Sequence, residues 1–140
     1  MKRAVSVRLL LAAALAAVLV ATTASSAAAY KGFVSPSRNI GCVMDEHGVR
    51  CDIRDHSWQS PPKPKSCEVD YGGGVAVGRS GKAEFVCAGD TTLEVGPVLG
   101  YGESVGKGRF RCTSEEAGMR CVNKRNGHGF LLAKQKVKLC

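Results

Sequence analysis

Apolar and polar residues alternate along two ten-residue segments, 42–51 and 112–121, each of which begins and ends with a cysteine. Both segments also place two acidic residues near the centre and a glycine three residues before the second cysteine. Pairing the cysteines across two strands leaves residues 45–48 for the first turn and 115–118 for the second, and a glycine ends each turn, where a left-handed backbone suits it. The pattern predicts two antiparallel hairpins, each closed by a disulfide.

Side chains point alternately to the two faces of a strand, so each hairpin has one face for the core and one outer face. The apolar face of the first hairpin carries Ile40, Cys42, Met44, Val49, Cys51 and Ile53. The second hairpin places Phe110, Cys112, Met119 and Cys121 together. The outer face of the first hairpin is mostly polar. That of the second carries a set of cations that we call the basic stripe, namely Arg109, Arg111, Arg120 and Lys124.

The remaining segments predict short strands and turns. Strands are expected at 33–34, 75–77, 83–87, 129–133 and 136–139. Three prolines between positions 61 and 64 exclude a helix or a central strand, so residues 54–66 are expected to form an irregular loop, and the glycine-rich segment 95–105 a second one. No amphipathic helical pattern follows residue 29. The sequence therefore predicts an all-β fold, a small disulfide-stapled antiparallel domain, sandwich- or barrel-like, built from short hairpins.

The N-terminal segment has the pattern of a signal peptide. Basic residues at positions 2, 3 and 8 precede an uninterrupted apolar run over 9–20, and three alanines then precede Tyr30. That run is shorter than the ~20 residues that a membrane-spanning helix needs. We expect a signal peptide over 1–29, cleavage before Tyr30, and a single disulfide-rich domain over 30–140 that is secreted, either extracellular or associated with the cell envelope.

All seven cysteines lie in that domain, which indicates a disulfide framework in an exported chain of this size. The two hairpins predict Cys42–Cys51 and Cys112–Cys121, and Cys67–Cys87 then closes the segment between them. Cys140 remains, and because a chain terminus is usually mobile and little buried, we expect an exposed thiol there that can link two chains into a dimer. A zinc site would require closely spaced cysteine pairs or clustered histidines, and neither pattern occurs in the sequence. No metal or other cofactor is expected.

Four short segments carry a resemblance to a known family. They are Phe-Val-Ser-Pro-Ser-Arg-Asn-Ile-Gly-Cys over 33–42, Cys-Ala-Gly-Asp over 87–90, Gly-Tyr-Gly over 100–102 and Gly-His-Gly-Phe over 127–130. From about residue 33 to 139 the chain resembles a family of small secreted cysteine-rich bacterial domains, mainly actinobacterial, of unknown function. The resemblance implies export, supports the three disulfides and supplies no activity. Arg38 stands where the family is expected to have glycine, and Cys140 lies beyond the family pattern.

Two patterns hint at catalysis. Residues 102–106 match the Gly-x-Ser-x-Gly motif of serine hydrolases, but that motif needs a strand-to-helix elbow in a large α/β sheet, so we expect a turn between strands. His56 and His128 are candidates for an acid–base pair in phosphodiester chemistry, which would make the protein a small secreted nuclease or hydrolase. Nothing in the sequence places these two histidines together, and no catalytic residue is assigned.

Charge gives the main functional indication. Residues 30–106 contain eight basic and ten acidic residues, whereas residues 107–140 contain nine and two. A basic stripe in such a segment attracts polyanions, and exposed cations alone also keep a secreted domain soluble. We therefore expect a non-enzymatic secreted module that binds anionic cell-wall polymer or lipid headgroups. Specific binding of nucleic acid is not expected, because no aromatic residues are interleaved with the cations. A protease-inhibitor-like module presenting Trp58 from the 54–66 loop is the alternative.

Overall fold

The computed structural model describes residues 14–21 and 29–140. Most of the predicted signal peptide, residues 1–13 and 22–28, lies outside the described residues. Within the described part, no helix has both the length and the apolar character to cross a membrane.

Ten antiparallel strands form the domain, and the described residues contain no helix, so the predicted all-β fold is confirmed. The strands are β1 Lys31–Val34, β2 Ile40–Met44, β3 Gly48–Ile53, β4 Tyr71–Gly78, β5 Glu84–Cys87, β6 Ser104–Lys107, β7 Phe110–Glu115, β8 Gly118–Asn123, β9 Gly129–Leu132 and β10 Val137–Leu139. They make two five-stranded sheets, β1-β2-β3-β4-β5 and β10-β9-β8-β7-β6, and neighbours in each sheet are consecutive in the chain.

The inner faces of the two sheets form one core, and the apolar faces predicted for both hairpins are all buried in it. Phe110, Phe130 and Met44 are its largest fully buried side chains. The three disulfides are Cys42–Cys51, Cys67–Cys87 and Cys112–Cys121, which are the pairs that the sequence predicts. Two of them meet at the centre, where the sulfur atoms of Cys51 and Cys121 lie 3.8 Å apart.

The second sheet repeats the first in order and register. In the first sheet Cys42 lies opposite Cys51, which lies opposite Val75 on β4. In the second sheet Cys112 lies opposite Cys121, which lies opposite Phe130 on β9. Strands β1–β5 therefore correspond to β6–β10, and paired strand residues of one half have counterparts in the other, whereas the connections differ in length. The sequence shows this repeat only in the two cysteine hairpins.

Both hairpin glycines lie where the next strand passes close, and a Cβ on Gly118 would come within 2.5 Å of the carbonyl oxygen of Leu132 on β9. Gly118 has a φ of 140°, as expected for a turn position that favours glycine. The expectation of a left-handed backbone is wrong for Gly48, which is not among the positive-φ residues. A Cβ there would lie 2.9 Å from the carbonyl oxygen of Val77, so Gly48 is needed because β4 passes close to it.

A segment that we call the strap, residues 88–99, covers the outer face of the first sheet. The Thr92 hydroxyl donates to the carbonyl of Gly41 at 2.6 Å, and the Thr92 amide donates to the carboxylate of Asp52 at 2.9 Å. A Cβ on Gly41 would overlap the strap backbone. The polar face of the first hairpin is thus partly buried under the strap, and Asp52 is only 6% exposed.

Two loop predictions have different outcomes. Residues 54–66 contain no strand, as their prolines predict. The loop predicted over 95–105 is shorter than expected, because Ser104 and Val105 begin β6. The register explains the difference, since Val105 lies opposite Cys112 and extends the second sheet by one strand.

Candidate anion-binding site

The basic stripe lies on the outer face of the second sheet, where Arg111, Arg120 and Lys124 are exposed and Arg109 is half-buried. Arg111 lies opposite Val122, which places it diagonally beside Arg120, at about 7–8 Å. The amide of Lys124 donates to the carbonyl of Arg109 at 2.8 Å, so these two residues face each other at the end of β7 and β8. The predicted set is therefore one continuous surface. Arg120 alone within it forms a salt bridge among the described residues, to Glu115 at 3.0 Å.

At one end of the sandwich the stripe runs into a cleft of about 440 Å³ that we call the basic cleft. It lies between the turns of both sheets and is lined by Glu46, Arg79, Gly108, Arg109, Lys124 and Arg125. Four cations and one carboxylate thus share a small space. A guanidinium N–H of Arg109 donates to the carbonyl of Arg79 at 3.4 Å, although 30 residues separate them in the chain.

The four cations of the basic cleft outnumber its one carboxylate, and none of them forms a salt bridge among the described residues. The salt bridges there involve Arg50, Arg54 and Arg120 instead. Desolvation, followed by the positive charges of Arg79 and Arg125, lowers the pKa of Arg109. An arginine nevertheless stays protonated at neutral pH. The cleft is therefore a concentration of like charge that a bound anion would relieve.

Asn123 holds this arrangement together from below. Its side chain is fully buried, and its amide nitrogen donates to the carbonyls of Gly78 at 3.0 Å and Arg79 at 3.3 Å. Its amide oxygen accepts from the backbone N–H of Arg125 at 3.0 Å. One side chain of the second sheet thus fixes a turn of the first sheet and the loop after β8, and so positions Arg79 and Arg125.

The opposite end of the sandwich carries the counterpart of the basic cleft. A cleft of about 570 Å³ is lined there by residues that include Asn39, Arg54, Asp55, Glu116 and Lys134, the counterparts of Arg109, Lys124, Arg125, Glu46 and Arg79. The backbone is alike at both ends, since the Arg54 amide donates to the carbonyl of Asn39 at 2.9 Å, as Lys124 does to Arg109. The charges differ, because an amide and a carboxylate replace two cleft cations, and Arg54 pairs with Glu94 at 3.2 Å.

The comparisons with known proteins give a family without an activity. The model of a family of unknown function, DUF6636, matches residues 13–140. The chain belongs to this family. No curated protein and no solved structure gives a significant match. The predicted membership of a family of unknown function is thus confirmed, and its function has to be argued from the surface.

The family resemblance expected glycine at position 38, and the structure shows why. Arg38 has a φ of 61° in the β1–β2 turn, a left-handed conformation that favours glycine. Its counterpart in the second half is Gly108, which has a φ of 58° in the β6–β7 turn. Arg38 also lines the opposite cleft, so the substitution places a cation there.

A larger groove of about 790 Å³ lies on the outer face of the first sheet, between the strap and the turns at 45–48 and 78–82. Charges of both signs line it, and its central cation is already neutralised, because Arg50 pairs with Asp52 at 2.7 Å and with Asp90 at 2.9 Å. The basic cleft is smaller but has the unbalanced charge, so it is the stronger candidate site.

The two candidate histidines are not brought together. His56 stacks on Trp58 with the ring centres 3.6 Å apart, and a ring nitrogen lies 2.8 Å from the carbonyl of Trp58. Trp58 is anchored in turn to Ala133, just after β9, whereas His128 directly precedes β9. A strand of this length puts about 16 Å between these two ends.

The serine motif does not form an elbow. Ser104 begins β6, and its hydroxyl lies 2.8 Å from that of Thr113 on the neighbouring strand. Glu115, the acid that follows it in the chain, is bound to Arg120. These residues therefore make ordinary sheet contacts.

The sequence also singled out Trp58 as a candidate interface residue and Cys140 as an exposed thiol. The Trp58 indole N–H donates to the carbonyl of Ala133 at 2.8 Å and its ring packs against the core, so it fastens the 54–66 loop rather than presenting an exposed anchor. Cys140 is free and exposed. The backbone of Cys140 exchanges hydrogen bonds with Gly129 at 2.9 and 3.0 Å, directly after the edge strand β10, so the thiol is held at the surface.

Sequence reasoning missed Arg79 and Asn123 as parts of the site. Arg79 lies in the glycine-rich turn 78–81, in the half of the chain whose charge is slightly negative. Asn123 sits at the margin of the apolar face of its hairpin. A polar amide at the end of a buried face was the available signal, because a buried amide needs hydrogen-bond partners.

Proposed function

We propose that the protein is a secreted, non-enzymatic module that attaches to an anionic polymer of the cell envelope through the basic stripe and the basic cleft. The observation that carries the proposal is the run of uncompensated cations over one continuous surface, from Arg111 through Arg109 and Lys124 into the cleft. The three disulfides, which are typical of extracellular proteins, support the location.

The internal repeat supports a role for these cations beyond folding. The counterpart of Arg111 in the first sheet is Gly41, which lies beneath the strap. No such segment covers Arg111 in the described part of the chain, and its side chain is exposed. One outer face is thus closed by the protein itself, whereas the other is open and cationic.

A polymer fits this surface better than a membrane or a nucleic acid. The large apolar side chains exposed on residues 29–140 are Tyr30, Val69, Val98 and Tyr101, and none belongs to the stripe or the cleft. Insertion into a lipid interface needs apolar groups beside the cations, and single-stranded nucleic acid needs stacking aromatics. A flexible polyanion needs neither.

Retention on polymer-bearing cell walls tests the proposal. If four cations contact a flexible polyanion, counterion release lowers the affinity roughly 50-fold between 50 and 200 mM salt. The variant Arg109→Gln/Arg111→Gln/Arg120→Gln removes three of the stripe cations and should lower retention at least tenfold. It should leave the domain folded, because these side chains point away from the core. Replacing Arg54, Lys63 and Lys65 by Gln removes the same charge elsewhere and should leave most of the retention.

Walls stripped of their anionic polymer and vesicles of anionic lipid complete the experiment. Three results would show that the cations serve solubility only: retention on stripped walls, retention that does not change with salt concentration, or an equal loss of retention in both triple variants. Binding to vesicles but not to walls would contradict a polymer partner.

A further inference from the structure

We propose that the basic cleft is a discrete site for one phosphate group, and that it recognises a phosphate ester rather than negative charge in general. The inference rests on the proposed function, because it names the group of the polymer that the protein holds. Arg109 and Lys124 belong to both the stripe and the cleft, whereas Arg111 and Arg120 supply unspecific attraction along the sheet.

The donors of the cleft suit a phosphate. Three of its four cations are arginines, whose planar guanidinium groups bind phosphate and carboxylate through paired hydrogen bonds. They come from separate turns, after β4, before β7 and after β8, so they approach the cleft from different directions. A tetrahedral phosphate presents oxygens in several directions at once, whereas a carboxylate presents two oxygens in one plane. No aromatic or large apolar side chain lines the cleft, so nothing there holds a base or a sugar ring.

The arrangement is organised before any ligand arrives. Asn123 is buried and fixes the backbone of Arg79 and Arg125, so the points from which these two side chains extend are set before a ligand binds. Preorganised donors bind more tightly because little conformational entropy is lost on binding. The lowered pKa of Arg109 fits the same geometry, since it results from desolvation and then from the nearby positive charges of Arg79 and Arg125.

The opposite cleft is an internal control. It is built from the counterpart turns and keeps the corresponding backbone hydrogen bond, yet Asn39 and Asp55 occupy the positions of Arg109 and Arg125. The fold therefore does not require cations at these positions. The difference between the two ends predicts that phosphate binds at one end of the molecule only.

Glu46 gives the site a second signature. It is the one carboxylate that lines the cleft, it is exposed, and it forms no salt bridge among the described residues. Its charge opposes a bound phosphate, so Glu46→Gln should tighten binding several-fold. A residue with a purely structural role would not produce this gain.

NMR titration of the disulfide-intact protein with inorganic phosphate tests the inference, with acetate at equal ionic strength as the control. Saturable shifts are expected at the backbone amides of 108–109 and 124–125, and none at 38–39 and 54–55. Arg79→Gln should weaken phosphate binding at least tenfold, because one charge-assisted contact is lost. Glycerol phosphate and a glycerol phosphodiester, as further probes, distinguish a chain end from a link within the polymer.

Two outcomes would overturn the inference: shifts no larger with phosphate than with acetate, or equal shifts at both ends of the sandwich. Its failure is distinguishable from failure of the proposed function. If phosphate does not saturate the cleft while wall retention stays sensitive to salt and to the stripe variant, only the discrete site is wrong. If phosphate saturates the cleft while retention ignores the stripe, the polymer proposal is wrong and the site stands.

Discussion

The core disulfide Cys42–Cys51 should matter more to stability than Cys67–Cys87, although it closes the shorter loop. The sequence separations are 9 and 20 residues. In the chain-entropy model these loops contribute about 2.6 and about 3.3 kcal/mol, so loop closure alone ranks Cys67–Cys87 higher by about 0.7 kcal/mol. Replacing each pair by two alanines compares the two bridges directly.

Packing reverses that order. Cys42 and Cys51 are both 0% exposed, and the sulfur of Cys51 touches the second core disulfide. Each buried sulfur lost to alanine costs about 0.8 kcal/mol of transfer energy and, at ~24 cal/mol per Å³, about 0.7 kcal/mol for the cavity. The core pair then costs about 5.6 kcal/mol. Cys87 is exposed and Cys67 lies beside a loop that can collapse, so the other pair costs about 4.1 kcal/mol.

Urea unfolding of the two double-alanine variants and the oxidised parent measures both quantities. The slope of free energy against urea has to be fitted for each variant, because removing a cross-link changes the surface that unfolding exposes. A larger loss for the Cys67→Ala/Cys87→Ala variant would refute the reasoning. It would mean that loop closure outweighs core packing in this sandwich.

Three further predictions concern other parts of the chain. Asn123→Ala should destabilise the domain by about 2–3 kcal/mol, because it removes a fully buried side chain together with its hydrogen bonds to the backbone of Gly78, Arg79 and Arg125; urea unfolding checks the loss, and a change below 0.5 kcal/mol would contradict the bridging role. Cys140→Ser should abolish a dimer on non-reducing gels with little change in the melting temperature of the monomer, and no dimer in the parent would rule out the intermolecular disulfide. N-terminal sequencing of the secreted protein should begin at Tyr30, and a mature chain that keeps residues 9–20 would exclude cleavage there.

Local patterns were enough to predict the strands that pair with near neighbours in the chain. The cysteine spacing of 42–51 and 112–121 determined register, turn position and buried face, because the side-chain period of a strand is two and one pair of partners sets all the others. The strap could not be read in the same way. Its contacts to Gly41 and Asp52 depend on how residues 88–99 cross a sheet, and no periodic pattern encodes that path.

Only part of the candidate site could be predicted from the sequence, for a related reason. The basic stripe follows from alternation along β7 and β8, so Arg109 and Lys124 were found from one hairpin alone. The basic cleft requires the other sheet as well, because Arg79 reaches it only when the turn after β4 is tied to Asn123.

The comparison of the two repeated halves supports the proposed function. By register, Arg109 and Arg125 correspond to Asn39 and Asp55, while the stapled hairpins pair in the same way in both halves. Turns at the ends of a rigid scaffold tolerate substitution and carry binding residues. Had the cations served the fold, both ends would need them, and solubility would be served by cations dispersed over the surface. Four of them are instead gathered in one cleft, where desolvation and then the positive charges of Arg79 and Arg125 lower the pKa of Arg109, and the proposed anionic ligand would relieve this concentration of like charge.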